Sequence, residues 1–274
     1  MMLSCARNCL SIGIRVEITF EILLALFAVA SVAGFIDAMA GGGGLLTVPA
    51  LLAAGLSPTQ ALATNKLQSS FGSFSASFYF IRRGLVSLAA MWRAIVCTFL
   101  GSAIGAEAVQ VVSLNILTSL IPLLLIAIAL YFLIGGKAKE QRGEPKLSDA
   151  AFAFAIGGGV GFYDGFFGPG TGSIFTLCFV AIGHFSLVEA TARTKVLNFT
   201  SNLAALLFFI LAGLPVWEIG LVMAVGGFLG ARLGAKMVIT KGTRWVRPLV
   251  IMMSMAMALK LLWQQHGQWW LSLF

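Results

Sequence analysis

Two stretches of this chain, residues 108–136 and 196–217, contain no Asp, Glu, Lys or Arg. Each exceeds the ~20 residues that a helix needs to cross the hydrocarbon of a bilayer. Such a chain folds in a membrane. The remainder agrees, with 59% hydrophobic and 10% charged residues, where soluble domains carry roughly a quarter charged. The longest polar run, 135–149, is too short to be a domain. The expected fold is an all-α polytopic membrane protein with the lipid bilayer as its solvent.

The net charge of +8 does not mark a nucleic-acid binder, because the basic residues stand at the ends of apolar segments, where topology places them. Four cysteines (Cys5, Cys9, Cys97, Cys178) and two histidines (His184, His266) form no CxxC pair and no ligand spacing. No metal site, cofactor or disulfide framework is expected. Arg7 and Arg15 precede an apolar run as in a signal peptide, but Glu17 and Glu21 interrupt it and no small-residue cleavage site precedes Asp37. Residues 18–33 read as a retained membrane segment behind a short tail, 1–15.

Apolar segments lie at about 18–40, 45–54, 59–81, 86–109 and 114–134, then at about 150–167, 173–183, 190–212, 216–238 and 246–263. The second covers only about half a bilayer at 1.5 Å per residue, so it is broken or re-entrant. These segments divide the chain into a first membrane repeat at 16–136, a cytoplasmic linker at 137–149, a second repeat at 150–265 and a tail at 266–274. Each repeat holds about five helical segments.

The halves are copies. An offset of 129 relates Ala61 to Ala190 and runs without a gap to Val109 and Val238, with 15 of the 49 positions identical. The matches include Phe99-Leu100-Gly101 with Phe228-Leu229-Gly230, and Gly84-Leu85 with Gly213-Leu214. Charge then opposes the copies. Arg82, Arg83 and Arg93 follow the third segment, where the second copy has only Glu218; Glu107 stands where the second copy has Arg232, Lys236, Lys241, Arg244 and Arg247. By the positive-inside rule, equivalent loops lie on opposite faces, which is an inverted-topology repeat. The loops at 82–93, 137–148 and 232–247 are then cytoplasmic and both termini periplasmic. Inversion needs an odd number of crossings per half, so the first two segments of each either both cross or both turn back.

A motif recurs inside each apolar half. Gly34-Phe35-Ile36-Asp37-Ala38-Met39-Ala40-Gly41-Gly42-Gly43-Gly44 is echoed by Gly161-Phe162-Tyr163-Asp164-Gly165-Phe166-Phe167-Gly168-Pro169-Gly170-Thr171-Gly172. Chain that leaves a helix in these glycines and restarts exposes backbone N–H groups at a helix N-terminus, a natural anion site. Thr171 and Ser173 add hydroxyls. Lys66 and Lys195 occupy equivalent positions in otherwise uncharged segments. Each either snorkels to the interface or faces the bundle interior with a partner, and the repetition favours the second. Arg193 adds a cation to one half, giving a net positive site. Asp37 and Asp164 hold the broken backbone, balance the lysines or carry a proton, in that order of preference. Asn65, Thr64, Thr194 and Asn198 flank the lysines as candidate ligands for oxyanion oxygens or as interhelical bonding groups. Thr47 and Thr176 line up only approximately. Six tryptophans near segment ends read as interfacial anchors.

The first motif with Leu45-Leu46-Thr47-Val48-Pro49-Ala50-Leu51 and Ala61-Leu62-Ala63-Thr64-Asn65-Lys66-Leu67, and the second with Ala192-Arg193-Thr194-Lys195-Val196-Leu197-Asn198 and Phe228-Leu229-Gly230-Ala231, resemble the two signatures of the sulfite exporter TauE/SafE family, also called the toluene-sulfonate uptake permeases. The resemblance spans nearly all of 20–265. It implies a bacterial inner-membrane carrier with two inverted halves, of a family in which some members move sulfite, sulfonates or related anions. The expected protein is a secondary transporter of a small anionic solute, and not an enzyme, working by alternating access around a central site, with export favoured. An anion channel is the alternative. An intramembrane enzyme using Ser173 and His184 has no counterpart in the first half.

Overall fold

A computed structural model describes residues 19–113, 116 and 146–241. The expected segments at 114–134 and 246–263, the linker up to residue 145, the tails 1–15 and 266–274, and Arg244, Arg247, Cys5, Cys9, His266, Trp245, Trp263, Trp269 and Trp270 lie outside the described residues. Regular structure among the described residues is helical throughout.

The first half contributes α1 (Phe20–Ala40), α2 (Gly44–Ala53), α3 (Pro58–Arg82) and α4 (Leu88–Val111). The second contributes α5 (Asp149–Phe152), a π-helical stretch (Ala153–Gly158), α6 (Gly159–Phe166), α7 (Thr171–Ala181), α8 (Leu187–Leu211) and α9 (Trp217–Lys241). Local chemistry sets the ends. Ser57 and Ser186, 129 apart, both close capping boxes, with Gln60 and Glu189 returning the bond. Thr19, Ser87 and Ser148 cap α1, α4 and α5 through their side chains.

Among the described residues, the stretches Phe20–Ala40, Leu88–Val111, Leu187–Leu211 and Trp217–Thr240 are long and apolar enough to span a bilayer. The outward faces are apolar. Trp92, Val96, Leu100 and Ile104 of α4 form an exposed stripe at helical spacing, repeated on α9 by Leu221, Val225, Leu229 and Leu233. Trp92 and Trp217 are exposed near helix starts, as interfacial anchors require. The polarity is on the inside: α3, although as long as α8, carries Asn65, Lys66, Gln68 and serines on its buried face.

The short helices turn back. Leu51 and Leu56, at and after the end of α2, pack with Leu26 and Ala30 of α1 and with Ile219 and Met223 of α9. In the second half the rings of Phe152 and Phe179 stand 5.0 Å apart, bringing the end of α7 to the end of α5. Each half therefore opens with a helical hairpin, its tip at the glycine break.

Each hairpin packs on the other half. Gly34 and Gly230 let α1 and α9 approach backbone to backbone, Gly230 meeting the carbonyl of Ser31 and Gly34 that of Gly227. Gly161 and Gly101 do the same for α6 and α4, Gly101 meeting the carbonyl of Gly158 and Gly161 that of Thr98. These contacts interchange when 127 is added to the hairpin residue and 129 subtracted from its partner: Ser31 with Gly230 becomes Gly158 with Gly101. The duplication is thus a symmetry of the packing.

Candidate functional site

The hairpin tips meet at the centre of the molecule. Asp37 lies one turn before the end of α1, and the chain leaves that helix through Gly41 at φ +79, in the left-handed region. The N–H of Gly41 bonds the Asp37 carbonyl at 2.8 Å, and the N–H of Gly43 reaches Asp37 Oδ1 at 3.3 Å. In the second half the break passes through Gly168 at φ +97 and Gly170 at φ +85. Thr171 Oγ1 donates to Asp164 Oδ1 at 2.9 Å, so this carboxylate also spans its own break. Gly41 and Gly172 touch through their backbones with no room for a methyl group. Ser173 Oγ donates to the Ala40 carbonyl, joining the tips.

The lysines cross between the halves. Lys66 of α3 is 1% exposed and its Nζ lies 2.8 Å from Asp164 Oδ1. Lys195 of α8 is also 1% exposed and its Nζ lies 2.9 Å from Asp37 Oδ2. Each cation is thus held by the carboxylate of the opposite half. Asp164, 4% exposed, also accepts from Ser201 through Oδ2, and Ser201 is fixed in turn by Ser102, whose hydroxyl donates to its carbonyl. Asp37 is more open at 25%. Neither lysine snorkels. Burial of an ammonium is tolerated because the partner supplies both charge and hydrogen bond.

Between the tips and the polar faces of α3 and α8 lies a small polar cavity. Its walls are Asp37, Gly41 and Gly44 from the first hairpin; Asp164, Gly168, Gly170, Thr171 and Gly172 from the second; Asn65 and Ser69 from α3; and Asn198 and Asn202 from α8. Two helix N-termini, of α2 and α7, border it and bring partial positive charge, with the N–H groups of Leu45, Leu46, Thr47, Thr171, Ser173 and Ile174 already donated to carbonyls of the glycine breaks. In this conformation it has room for about one water-sized body, so a larger solute enters only if its walls move apart.

Most of the residues singled out in the sequence are brought together here: Asp37, Asp164, Lys66, Lys195, Asn65, Gly41, Gly44, Gly170, Thr171 and Gly172 line the cavity or bond a residue that does. Gly43 acts through Asp37 and Ser173 through Ala40, while Gly42 does not line it. Thr194 is turned to Thr176, at 3.1 Å. Arg193 is not part of the site. Its guanidinium lies 3.9 Å from the centre of the Phe185 ring, because two residues along a helix turn a side chain ~200° away from Lys195. With each lysine matched by an aspartate, the cluster is formally neutral, where a net positive site was expected.

Thr47 and Thr176, expected to align only approximately, are equivalent under the 129 offset. Thr47 donates to Asn65, with the Gly43 carbonyl at 3.2 Å as the competing acceptor; Thr176 donates to the Gly172 carbonyl and bonds the Thr194 hydroxyl. Gly41 and Gly170 share the offset, so the hairpins diverge only by two residues inserted between Asp164 and its glycine. Ser69, Asn202 and Ser201 carried no sequence signal beyond being polar on the lysine-bearing helices. Ser173 and His184 stand at opposite ends of α7 and form no nucleophile and base pair. No cluster suited to a metal ion occurs among the described residues.

Long apolar helices enclosing two broken helices, which meet at buried ion pairs beside a polar cavity, define a polytopic membrane transporter. The chain belongs to the Sulfite exporter TauE/SafE family, whose sequence profile matches residues 26–261. It is 52% identical over 243 residues to Probable membrane transporter protein YfcA of Escherichia coli (strain K12), covering 89% of this chain and 90% of that protein. The identity is 47% over 249 residues to Probable membrane transporter protein of Haemophilus influenzae, covering 91% and 98%. It is 42% over 246 residues to Probable membrane transporter protein ORF9 of Sinorhizobium sp, covering 90% and 94%. No solved structure matches the chain.

Proposed function

We propose that this protein is a secondary carrier of small anions, in the class of sulfur-containing oxyanions and organosulfonates, in the bacterial inner membrane. The carrying observation is the crossed pairing of Lys66 with Asp164 and Lys195 with Asp37 beside a cavity framed by two helix N-termini. An entering anion draws the ammonium groups toward itself and is stabilised by the partial positive charge of the two helix ends. The aspartates, kept in place by Gly43, Thr171 and Ser201, receive the lysines back on release. Since each lysine belongs to one half and each aspartate to the other, occupancy of the site acts on the contact between halves, which is what alternating access requires.

The architecture is an inverted repeat, the halves being 16–136 and 150–265, with termini in the periplasm. The interchangeable contacts of hairpins with α4 and α9, and the opposed basic loops, support this reading. Export is favoured, because an interior-negative potential drives anions outward without a coupling ion. A carrier fits better than a channel because the cavity is small and the Gly41 and Gly172 backbones close on one another.

Purified protein in liposomes tests this. Saturable anion flux, lost in Lys66→Ala and Lys195→Ala variants that remain folded, is the expected result. Wild-type flux in the double variant removes the lysines from the mechanism, and unitary currents in place of saturable flux establish a channel.

A further inference from the structure

One side chain in the cavity is left unanswered by the ion pairs and helix ends. Asn198 is 4% exposed, lines the cavity, and has its amide oxygen buried without a hydrogen-bond partner among the described residues. Its neighbours are engaged. Asn65 Oδ1 accepts from Thr47 and Ser69, Thr171 donates to Asp164, and Asn202 Nδ2 donates to the backbone carbonyl of Asn198 itself. Asn198 Nδ2 lies against Gly172, where a β-carbon would come within 2.8 Å of it, at the first turn of α7. A buried polar atom without a partner in a cavity wall calls for a ligand atom opposite it.

As the amide is oriented, the atom without a partner is the acceptor Oδ1, so the partner it lacks is a donor. An amide also presents a donor beside that acceptor, and turning it over exchanges the two without changing the pair. A fully ionised oxyanion offers acceptors alone and sets its lone pairs against Oδ1. An oxyanion that retains one hydroxyl fits both ends: its charged oxygen accepts from Nδ2 and its O–H donates to Oδ1. Charge points the same way. Two lysines and two aspartates leave the cluster neutral, so a dianion adds two uncompensated charges where a monoanion adds one.

Building on the anion-carrier reading above, we infer that the site takes its substrate as a singly protonated oxyanion, and that Asn198 selects this form. The equivalent residue of the first half is Ser69, at the 129 offset, so the selecting amide exists in one half only and gives the bound anion a fixed orientation.

The test uses the full-length protein in liposomes with equal pH on both faces, measured on the acid and the alkaline side of the second ionisation of sulfite. Methanesulfonate, which has no ionisable proton in that range, reports any titration of the protein itself. Apparent affinity for sulfite should be about tenfold higher on the acid side, the equivalent of one hydrogen bond to a charged ligand, and flat for methanesulfonate. Asn198→Ala should abolish the sulfite preference by lowering affinity for sulfite on the acid side more than it lowers affinity for methanesulfonate, with Asn198→Ser intermediate. Equal affinity for sulfite on both sides in the wild type overturns the inference, as does a preference that survives in Asn198→Ala, the result expected if the amide merely holds water. Equal loss of both anions in a folded Asn198→Ser variant also overturns it. Absence of flux for either anion in the wild type overturns the carrier reading itself.

Discussion

The ammonium of Lys66 is bonded to the carboxylate of Asp164, 98 residues further along the chain, at 2.8 Å and with both side chains almost fully buried. Its counterpart, Lys195 with Asp37, reaches back across 158 residues in the opposite direction. The pairs therefore fasten the two halves to each other.

Removing one member of the buried pair strands the other in a low-dielectric interior. Lys66→Met should destabilise the protein by about 3–5 kcal/mol, with Asp164→Leu alone similarly harmful and the Lys66→Met, Asp164→Leu double variant recovering much of the loss. Lys195→Met should cost less, because Asp37 is 25% exposed where Asp164 is 4%. Thermal unfolding in detergent, followed by loss of the monodisperse peak, reads both comparisons. Equal midpoints for Lys66→Met and Lys195→Met contradict the account.

The glycines that carry the hairpins against α4 and α9 admit no side chain. Gly230→Ala places a methyl on the carbonyl of Ser31, and Gly105→Ala places one on that of Phe162. Both neighbours are backbone, which cannot rotate away, so each change should cost about 1–3 kcal/mol or more. Gly84 and Gly213, at φ +71 and +68 with nothing within 4 Å, bear only the left-handed strain of about 1–2 kcal/mol. The same unfolding assay should rank Gly230→Ala and Gly105→Ala below Gly84→Ala and Gly213→Ala.

Much of this was legible in the sequence, since membrane residence, duplication and helix breaks are local or periodic properties. The crossing of Lys66 to Asp164 was not. A one-dimensional offset relates Lys66 to Lys195 and Asp37 to Asp164, but does not say which lysine meets which aspartate. That follows from α1 lying on α9, a packing decided by close-approach glycines on all four helices. The displacement of Arg193 was available in principle, because residues two apart on a helix face nearly opposite ways. Thr47 and Thr176 escaped because identity matching begins at Ala61, and the offset changes from 129 to 127 inside the second glycine break.

Inversion has an independent check. The turns at Gly84 and Gly213 are equivalent under the offset, each entered with a glycine at positive φ. Reporter fusions there, one active only in the cytoplasm and one only in the periplasm, should place Gly84 inside and Gly213 outside. The same compartment for both sinks the inverted repeat.

The contact between hairpin tips sets the last prediction. Gly41 stands at φ +79 and meets Gly172 backbone to backbone, so a methyl on either residue must part the tips or twist the breaks. Parting them displaces Asp37 from Lys195 and shifts the N-terminus of α7 off the cavity, since Ser173 is bonded to Ala40 across the same contact. Gly41→Ala and Gly172→Ala should therefore lose anion flux by at least about tenfold. Gly84→Ala serves as control: it shares the left-handed backbone at φ +71 but has open space around it, and should keep flux near wild type. A shared loss in all three would mean that left-handed strain, and not the meeting of the tips, governs transport. Wild-type flux in Gly41→Ala would place the transported anion elsewhere, because no arrangement of the two hairpins keeps the present cavity with a side chain between them.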